Sequence, residues 1–224
     1  MDYATFEKIF LEYFPFYKDL SKEDQKLLCQ NTQFISYKKG ETVHTGADCL
    51  GSTLVYSGDL RVYMLSEEGK DITLYRLLEG DFCMLTASCV IQAITFDVCV
   101  DAEADSKCIV MNSSLLEILM DKYPSMKIYM LETAIEKFSN VMWSMQQILF
   151  MSLDKRLAIL LIDELAKSED DTIHLTHEQL AKYMGSAREV VSRMLKFFSE
   201  EGLVELSRGG VKILDKKRLR ELTI

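Results

Sequence analysis

Between Thr176 and Phe198 the sequence THEQLAKYMGSAREVVSRMLKFF leaves little freedom in how the chain folds locally. Thr176 stands where an N-cap belongs, and Gln179 comes three positions later, the spacing of a reciprocal capping box, so a short helix starts here. Gly185 ends it. Ser186 and Glu189 repeat the box spacing and predict a second helix, whose apolar face is Val190, Val191, Met194, Leu195 and Phe198. Arg188, Ser192, Arg193 and Lys196 stand around that face. Two short capped helices joined through a glycine describe a helix-turn-helix. A second helix with Arg and Glu near its start has the shape and chemistry to enter a major groove.

A net charge of −9 conflicts with nucleic-acid binding until it is divided along the chain. Residues 1 to 153 hold 13 basic and 22 acidic side chains, whereas residues 154 to 224 hold 13 of each, so the acidity belongs to the first part. From Lys182 to Arg220 there are ten basic residues against five acidic ones. Phosphate attraction depends on such local patches more than on the total. An acidic remainder discourages indiscriminate binding.

With 224 residues the chain can hold two domains, each with its own core. An apolar fraction of 48% with no run of membrane-spanning length points to a globular protein, and MDYATFEKIF lacks the layout of a secretion signal. A cytoplasmic protein without membrane contact is expected. The six cysteines, at positions 29, 49, 83, 89, 99 and 108, then read as reduced thiols and not as a disulfide framework.

Phe6, Ile9, Phe10, Tyr13 and Phe14 recur at helical spacing, and Ser21 caps a second short helix over Lys22–Gln30, the two helices forming a lid over a β-rich region. That region, from Phe34 to Met111, consists of short runs (FISY, TLVYS, LRVYML, ITLYRLL, ITFDVCV, KCIVM) broken by glycines, which suggests an antiparallel roll or barrel. Leu60–Leu65 and Ile72–Leu77 form its clearest hairpin. A short helix over Ser113–Lys122 precedes Pro124, where the longest periodic segment opens. Ile128, Leu131, Ile135, Phe138, Met142, Met145 and Leu149 step by three and four in alternation, the pattern of a coiled-coil seam, so the chain is expected to pair with a second copy of itself. After a break at Ser152 and Asp154 come a helix over Lys155–Lys167, a short strand at Ile173–Leu175 and the helix-turn-helix. Gly202–Leu206 and Val211–Leu214 flank the turn Ser207-Arg208-Gly209-Gly210, a hairpin that makes a winged helix-turn-helix with Arg208 at its tip for a phosphate contact.

A glycine-punctuated roll (YKKGETVHTGAD, YSGDLRVYMLSEEGKDITLYRLLEGD), a long helix and a winged helix closely resemble the Crp/Fnr family of bacterial transcription regulators over nearly the whole chain. The resemblance implies an α+β architecture. Residues 1–122 would form a cyclic-nucleotide-binding-like antiparallel β-roll (a double-stranded β-helix) with N-terminal helices, 123–153 a dimerisation helix and hinge, and 154–224 a winged helix-turn-helix for DNA. It further implies a homodimer on double-stranded DNA, at an inverted repeat with a TGA-like core, under control of a small-molecule or redox signal, with RNA polymerase as partner if it activates. The most specific match is GSAREVVSRMLKFFSEEGLVEL, where Arg188, Glu189 and Arg193 fall on the family's base-reading positions and Ser192 on one used by the Fnr branch. Arginine can fork onto guanine and glutamate can accept from cytosine N4. Glu189 could instead merely close a box with Ser186. Ser186, Lys196 and Arg208 are expected on the DNA backbone.

The resemblance also sharpens what is missing. Cyclic-AMP-binding members carry a glutamate and an arginine-serine pair after the Gly-Asp turn, but here no basic residue lies between Arg76 and Lys107, and a buried phosphate without a cation would be costly. The cysteine cluster of iron–sulfur members is absent as well. The effector is thus unknown, with candidate pocket residues Phe82, Cys83, Met84, Leu85, Cys89 and Phe96. Cys83 and Cys89 could be a redox or soft-metal pair, or small buried hydrophobes. Alternatively an apolar ligand could sit among these residues and Met130 or Phe138. Only His44 lies in the roll, too few for a cupin-like metal enzyme, and His174 and His177 read as surface or cap-region residues, so no metal site and no enzyme is expected. The competing reading is a ligand-binding or protein-interaction module.

Overall fold

In a computed structural model, residues 3–45, 51–69, 71–84, 97–168, 170–208 and 210–223 are described. They fall into two compact units, one of residues 1–65 and 74–141, the other of residues 66–73 and 142–224.

The first unit begins with α1 (Tyr3–Tyr13), a single 3₁₀ turn at Pro15–Asp19 and α2 (Lys22–Gln30). The Ser21 hydroxyl accepts from the Asp24 amide, as its cap position predicts. Eight strands come next: β1 (Thr32–Tyr37), β2 (Thr42–His44), β3 (Ser52–Ser57), β4 (Asp59–Leu65), β5 (Asp71–Leu78), β6 (Phe82–Cys83), β7 (Cys99–Ala102) and β8 (Ser106–Met111). They pair into two four-stranded sheets, in the orders β1-β8-β3-β6 and β2-β7-β4-β5. Apart from β4 and β5, which share a sheet, each strand lies in the opposite sheet from the one before it, and this alternation winds the chain into a roll. At the β3–β4 corner Gly58 has φ +106°, and a Cβ there would lie 2.3 Å from Ser106 Oγ, so only glycine fits.

Strand periodicity decides which core each residue joins. On the first sheet Leu54, Phe82, Ile109 and Met111 face outward and pack with Phe6, Phe10, Phe14 and Leu28 of the N-terminal segment. Their sequence neighbours Val55, Cys83, Cys108 and Val110 face inward and meet Leu60, Val62, Leu77, Val100 and Ala102 of the second sheet. The N-terminal helices therefore cover one face of the first sheet, and among the described residues the space between the sheets is lined mainly by aliphatic side chains, with Tyr75, Cys83 and Cys108 among them.

Two helices follow, the second of which continues past residue 141 into the other unit. Asn112 caps α3 (Ser113–Lys122) through the Leu115 amide, and α4 runs from Pro124 to Phe150. Met126 and Met130 of α4 are buried against the N-terminal aromatics. Lys137 extends its ammonium to Asp81 at 2.7 Å, while the other oxygen of Asp81 accepts from the Leu78 amide at 2.8 Å. This ties α4 to the Gly80–Asp81 turn that leads into β6.

The pocket expectations are modified by this packing. Phe82 lies edge-on to Phe14 on the helix side of the sheet, whereas Cys83 lies on the inner side, so the two do not line one cavity. Met84 is half-buried against the helix-side core; Leu85, Cys89 and Phe96 lie outside the described residues. Of the two α4 residues named beside them, Met130 is buried in that core and Phe138 is exposed. Arg76, the last cation before that segment, already donates to Asp59 through Nε at 3.1 Å.

Burial also governs the thiols. It pushes Cys29 and Cys99 above the ordinary thiol range and Cys108 up to about 12, which keeps the nucleophilic thiolate scarce at neutral pH. Cys108 should accordingly resist alkylation in the native protein at pH 7.5 and react fully once the chain is unfolded, as followed by mass-resolved labelling. Native labelling at the unfolded rate would mean that the roll opens readily.

Candidate nucleic-acid interface

The second unit is built on α5 (Leu153–Ala166), β9 (Thr172–Ile173), α6 (His177–Met184), α7 (Arg188–Glu200), the hairpin β10 (Val204–Ser207) and β11 (Gly210–Ile213), and α8 (Lys216–Glu221). Leu157, Leu161, Ile173, Leu180, Met184, Val191, Leu195, Phe198, Val204, Val211 and Leu219 are buried together, so every element contributes to one core. The three strands form a sheet in the order β10-β11-β9.

The turn between α6 and α7 is explained by hydrogen-bond accounting. Thr176 and Gln179 make the reciprocal box expected at the start of α6, with the Gln179 amide donating to the Thr176 hydroxyl and the Thr176 amide donating to Gln179 Oε1 at 3.0 Å. At the other end Gly185 adopts φ 61°, ψ 41°, a left-handed conformation that glycine enters without steric cost. The Gly185 amide then donates to Lys182 O and the Ser186 amide to Ala181 O, which satisfies carbonyls of the last turn. The Arg156 guanidinium, on α5, donates to a further one, Met184 O.

That closure overturns the capping role expected for Ser186. Its amide is used to end α6, so its residue belongs to the turn, and α7 starts two residues later at Arg188 with Ala187 as a cap that makes no side-chain bond. Glu189 is consequently the second residue of α7, too early to close a box with Ser186, and its carboxylate is free of that local duty. A negative charge in the first turn also suits the helix dipole.

Among the described residues, the side chains of Arg188, Glu189 and Arg193 are exposed and engaged in no hydrogen bond or ion pair. They occupy the first two turns of α7. Ser192, expected on the same open side, is half-buried, and its hydroxyl is 2.9 Å from Nδ1 of His177 at the start of α6. Lys196 is exposed one turn further on and lies 3.8 Å from Glu200. Arg208 is exposed at the tip of the β10–β11 hairpin, where the Ser207 hydroxyl donates to Gly210 O at 3.1 Å. Arg208 and Arg188 both line a cleft of about 320 Å³ that also contains His174, His177 and Glu178. His174 is a surface residue, 3.9 Å from Asp170. His177 is more than a cap-region residue. Its bond to a residue fifteen positions away carried no signal in the spacing, because it depends on how α6 crosses α7.

An exposed helix start bearing two arginines and a glutamate, flanked by a basic hairpin, supplies forked donors and an acceptor for base edges and cations for phosphates. Among the described residues no group of three His, Cys, Asp or Glu side chains could hold a metal ion, and no helix is long and apolar enough to cross a membrane. A β-roll with a winged helix-turn-helix of this kind defines a DNA-binding transcription regulator.

Known proteins agree. The model of a Crp-like helix-turn-helix domain matches residues 155–222. The crystal structure of a transcriptional regulator assigned to the Crp/Fnr family from Eubacterium rectale shares 43% identity, covers 95% of this chain and 99% of its own, and superimposes with a TM-score of 0.90. "Probable transcriptional regulator flp" of Lacticaseibacillus casei is 25% identical over 217 residues, 92% of this chain and 94% of that protein. FixK2 from Bradyrhizobium japonicum, at 17% identity over 86% of this chain and 98% of its own, shares the fold with a TM-score of 0.70. The chain belongs to the Crp/Fnr family of transcription regulators, a class of regulators and not of enzymes.

Proposed function

We propose that the protein works as a homodimer that binds an inverted-repeat operator in the cytoplasm and is switched by a signal received in its β-roll. The observation that carries this reading is the face of α4: Ile128, Leu131, Ile135, Phe138, Met142, Met145 and Leu149 are all exposed, Ile135 to 67% and Phe138 to 65%. Large apolar side chains in a continuous heptad row are costly in water, and pairing two such helices removes that cost. Symmetry then presents two copies of α7. In each, Arg188, Glu189, Ser192 and Arg193 read bases, while Ser186, Lys196 and Arg208 hold the backbone.

The division of labour runs along the chain, with residues 1–122 as sensor, 123–153 as dimer helix and hinge, and 154–224 as DNA reader. The Lys137–Asp81 pair supports a route for the signal, since it joins the turn ahead of β6 to α4. Occupancy of the roll would shift the population of α4 arrangements around Phe150–Asp154 and so the spacing of the paired recognition helices. RNA polymerase is a partner if the regulator activates.

Selection of duplexes from a random pool tests the reading. The expected product is a palindrome with half-site centres about 10 base pairs apart, bound with a strongly salt-dependent affinity. Enrichment of single, unpaired half-sites would exclude the symmetric dimer.

A further inference from the structure

The Ser192 hydroxyl is not free to rotate. Its oxygen lies 2.9 Å from Nδ1 of His177, and both side chains are partly buried where the start of α6 crosses α7. A serine hydroxyl carries one donor and two acceptor sites, so an unrestrained serine can donate to guanine or thymine and accept from adenine or cytosine with little preference. One bond to an imidazole narrows that choice. If the hydroxyl donates to Nδ1, only lone pairs remain for a base amino group. If Nδ1–H donates to the hydroxyl oxygen, one of its two lone pairs is used and its proton is directed away from the ring, which favours a base carbonyl or ring nitrogen over an amino group.

We infer that His177 is the positioning residue that fixes the hydrogen-bond polarity of Ser192 and thereby sets the base preference at the position Ser192 reads. The inference rests on the base-reading role proposed for Ser192. His177 occupies the first position of α6, whose backbone is held by the Thr176–Gln179 box, so the imidazole is anchored on a rigid element. Ile173, Leu180, Val191 and Leu195 are buried together in the core beneath, which fixes the two helices against each other. His177 also lines the cleft shared with Glu178, Arg188 and Arg208. It therefore stands at the reading surface without being an exposed base reader.

The test is pool selection with the full-length protein, with the sequence selected by the wild type then used as a synthetic duplex carrying each base pair at each position. Ser192→Ala identifies the base pair that Ser192 reads, as the one position where discrimination collapses. At that position the wild type should separate amino-bearing from carbonyl-bearing bases by about fivefold, the worth of one net hydrogen bond. His177→Phe and His177→Ala should both reduce this to within about twofold while leaving discrimination at the other positions intact, which also reports that the domain is folded. His177→Asn, which offers a polar atom the same number of bonds from the backbone, should recover part of the preference. Wild-type discrimination retained by both His177→Phe and His177→Ala would overturn the inference, as would a His177→Asn variant no better than His177→Phe. If Ser192→Ala changes no base preference, the base-reading role itself falls and the inference with it, an outcome separate from the other two.

Discussion

Arg193→Ala weakens binding to the selected duplex by about 1–3 kcal/mol per half-site, the worth of a good bidentate contact to a base. A symmetric dimer loses it twice, about 2–6 kcal/mol in total, or a fall in affinity of roughly 30-fold to more than 10⁴-fold. The loss should be specific: the variant no longer distinguishes the base pair that Arg193 reads, while nonspecific binding at low salt changes little. Arg208→Ala provides the contrast. It weakens all sequences alike and lowers the slope of log affinity against log salt by about one per contact removed. Fluorescence anisotropy titrations on the operator, its single-base variants and an unrelated duplex across a salt series separate the two signatures. A uniform, salt-dependent loss from Arg193→Ala would reassign that residue to the backbone. Arg193 is exposed and unengaged on the second turn of α7, so the substitution has little reason to disturb the fold.

The second large effect concerns the α4 face. Ile135 and Phe138 lie on successive turns and are among its most exposed members. Burying each against a partner helix is worth about 1.5–3 kcal/mol, and replacing both with glutamate substitutes a buried charge for that gain on both protomers. The double variant Ile135→Glu, Phe138→Glu should therefore raise the dimer dissociation constant by more than about 10³-fold and leave a monomer at micromolar concentration in sedimentation equilibrium. Its far-UV circular dichroism should match the wild type, since neither side chain belongs to a core within the protomer. Operator affinity should collapse in parallel, because one half-site then binds without the other. A double variant that remains dimeric would place the interface elsewhere.

These two effects draw on the parts of the molecule most legible in its sequence. The Thr176–Gln179 box, the glycine at the end of α6, the heptad row of α4 and the turn of the β10–β11 hairpin are local patterns. Each is written in residues three or four apart, or in alternation along a strand: the box and the glycine stand where expected, the heptad row lies exposed along α4, and the hairpin pairs Val204–Ser207 with Gly210–Ile213. The exposed character of Arg188, Glu189 and Arg193 is legible too, since they lie off the apolar stripe of α7. Ser186 shows where local reading stops. Serine with glutamate three residues on is a valid capping box in isolation, yet the Ser186 amide is claimed by Ala181 in closing the preceding helix, and the box cannot form.

The same limit applies to the sensor. A charge-free segment after Asp81 reads as the lining of one pocket, but strand alternation sends Phe82 to the helices and Cys83 to the interior. Which side of a sheet becomes the interior is set by the second sheet that covers it, through contacts between strands far apart in the chain. The Lys137–Asp81 pair spans 56 positions and the His177–Ser192 bond fifteen, and no periodicity encodes either. The sequence by itself determined the helices, turns and exposed basic side chains that make this chain a DNA-binding regulator, because capping and amphipathic burial act over one or two turns. Only the tertiary structure decided which of those side chains stand alone and which are held by a partner, because packing alone chooses which distant faces meet.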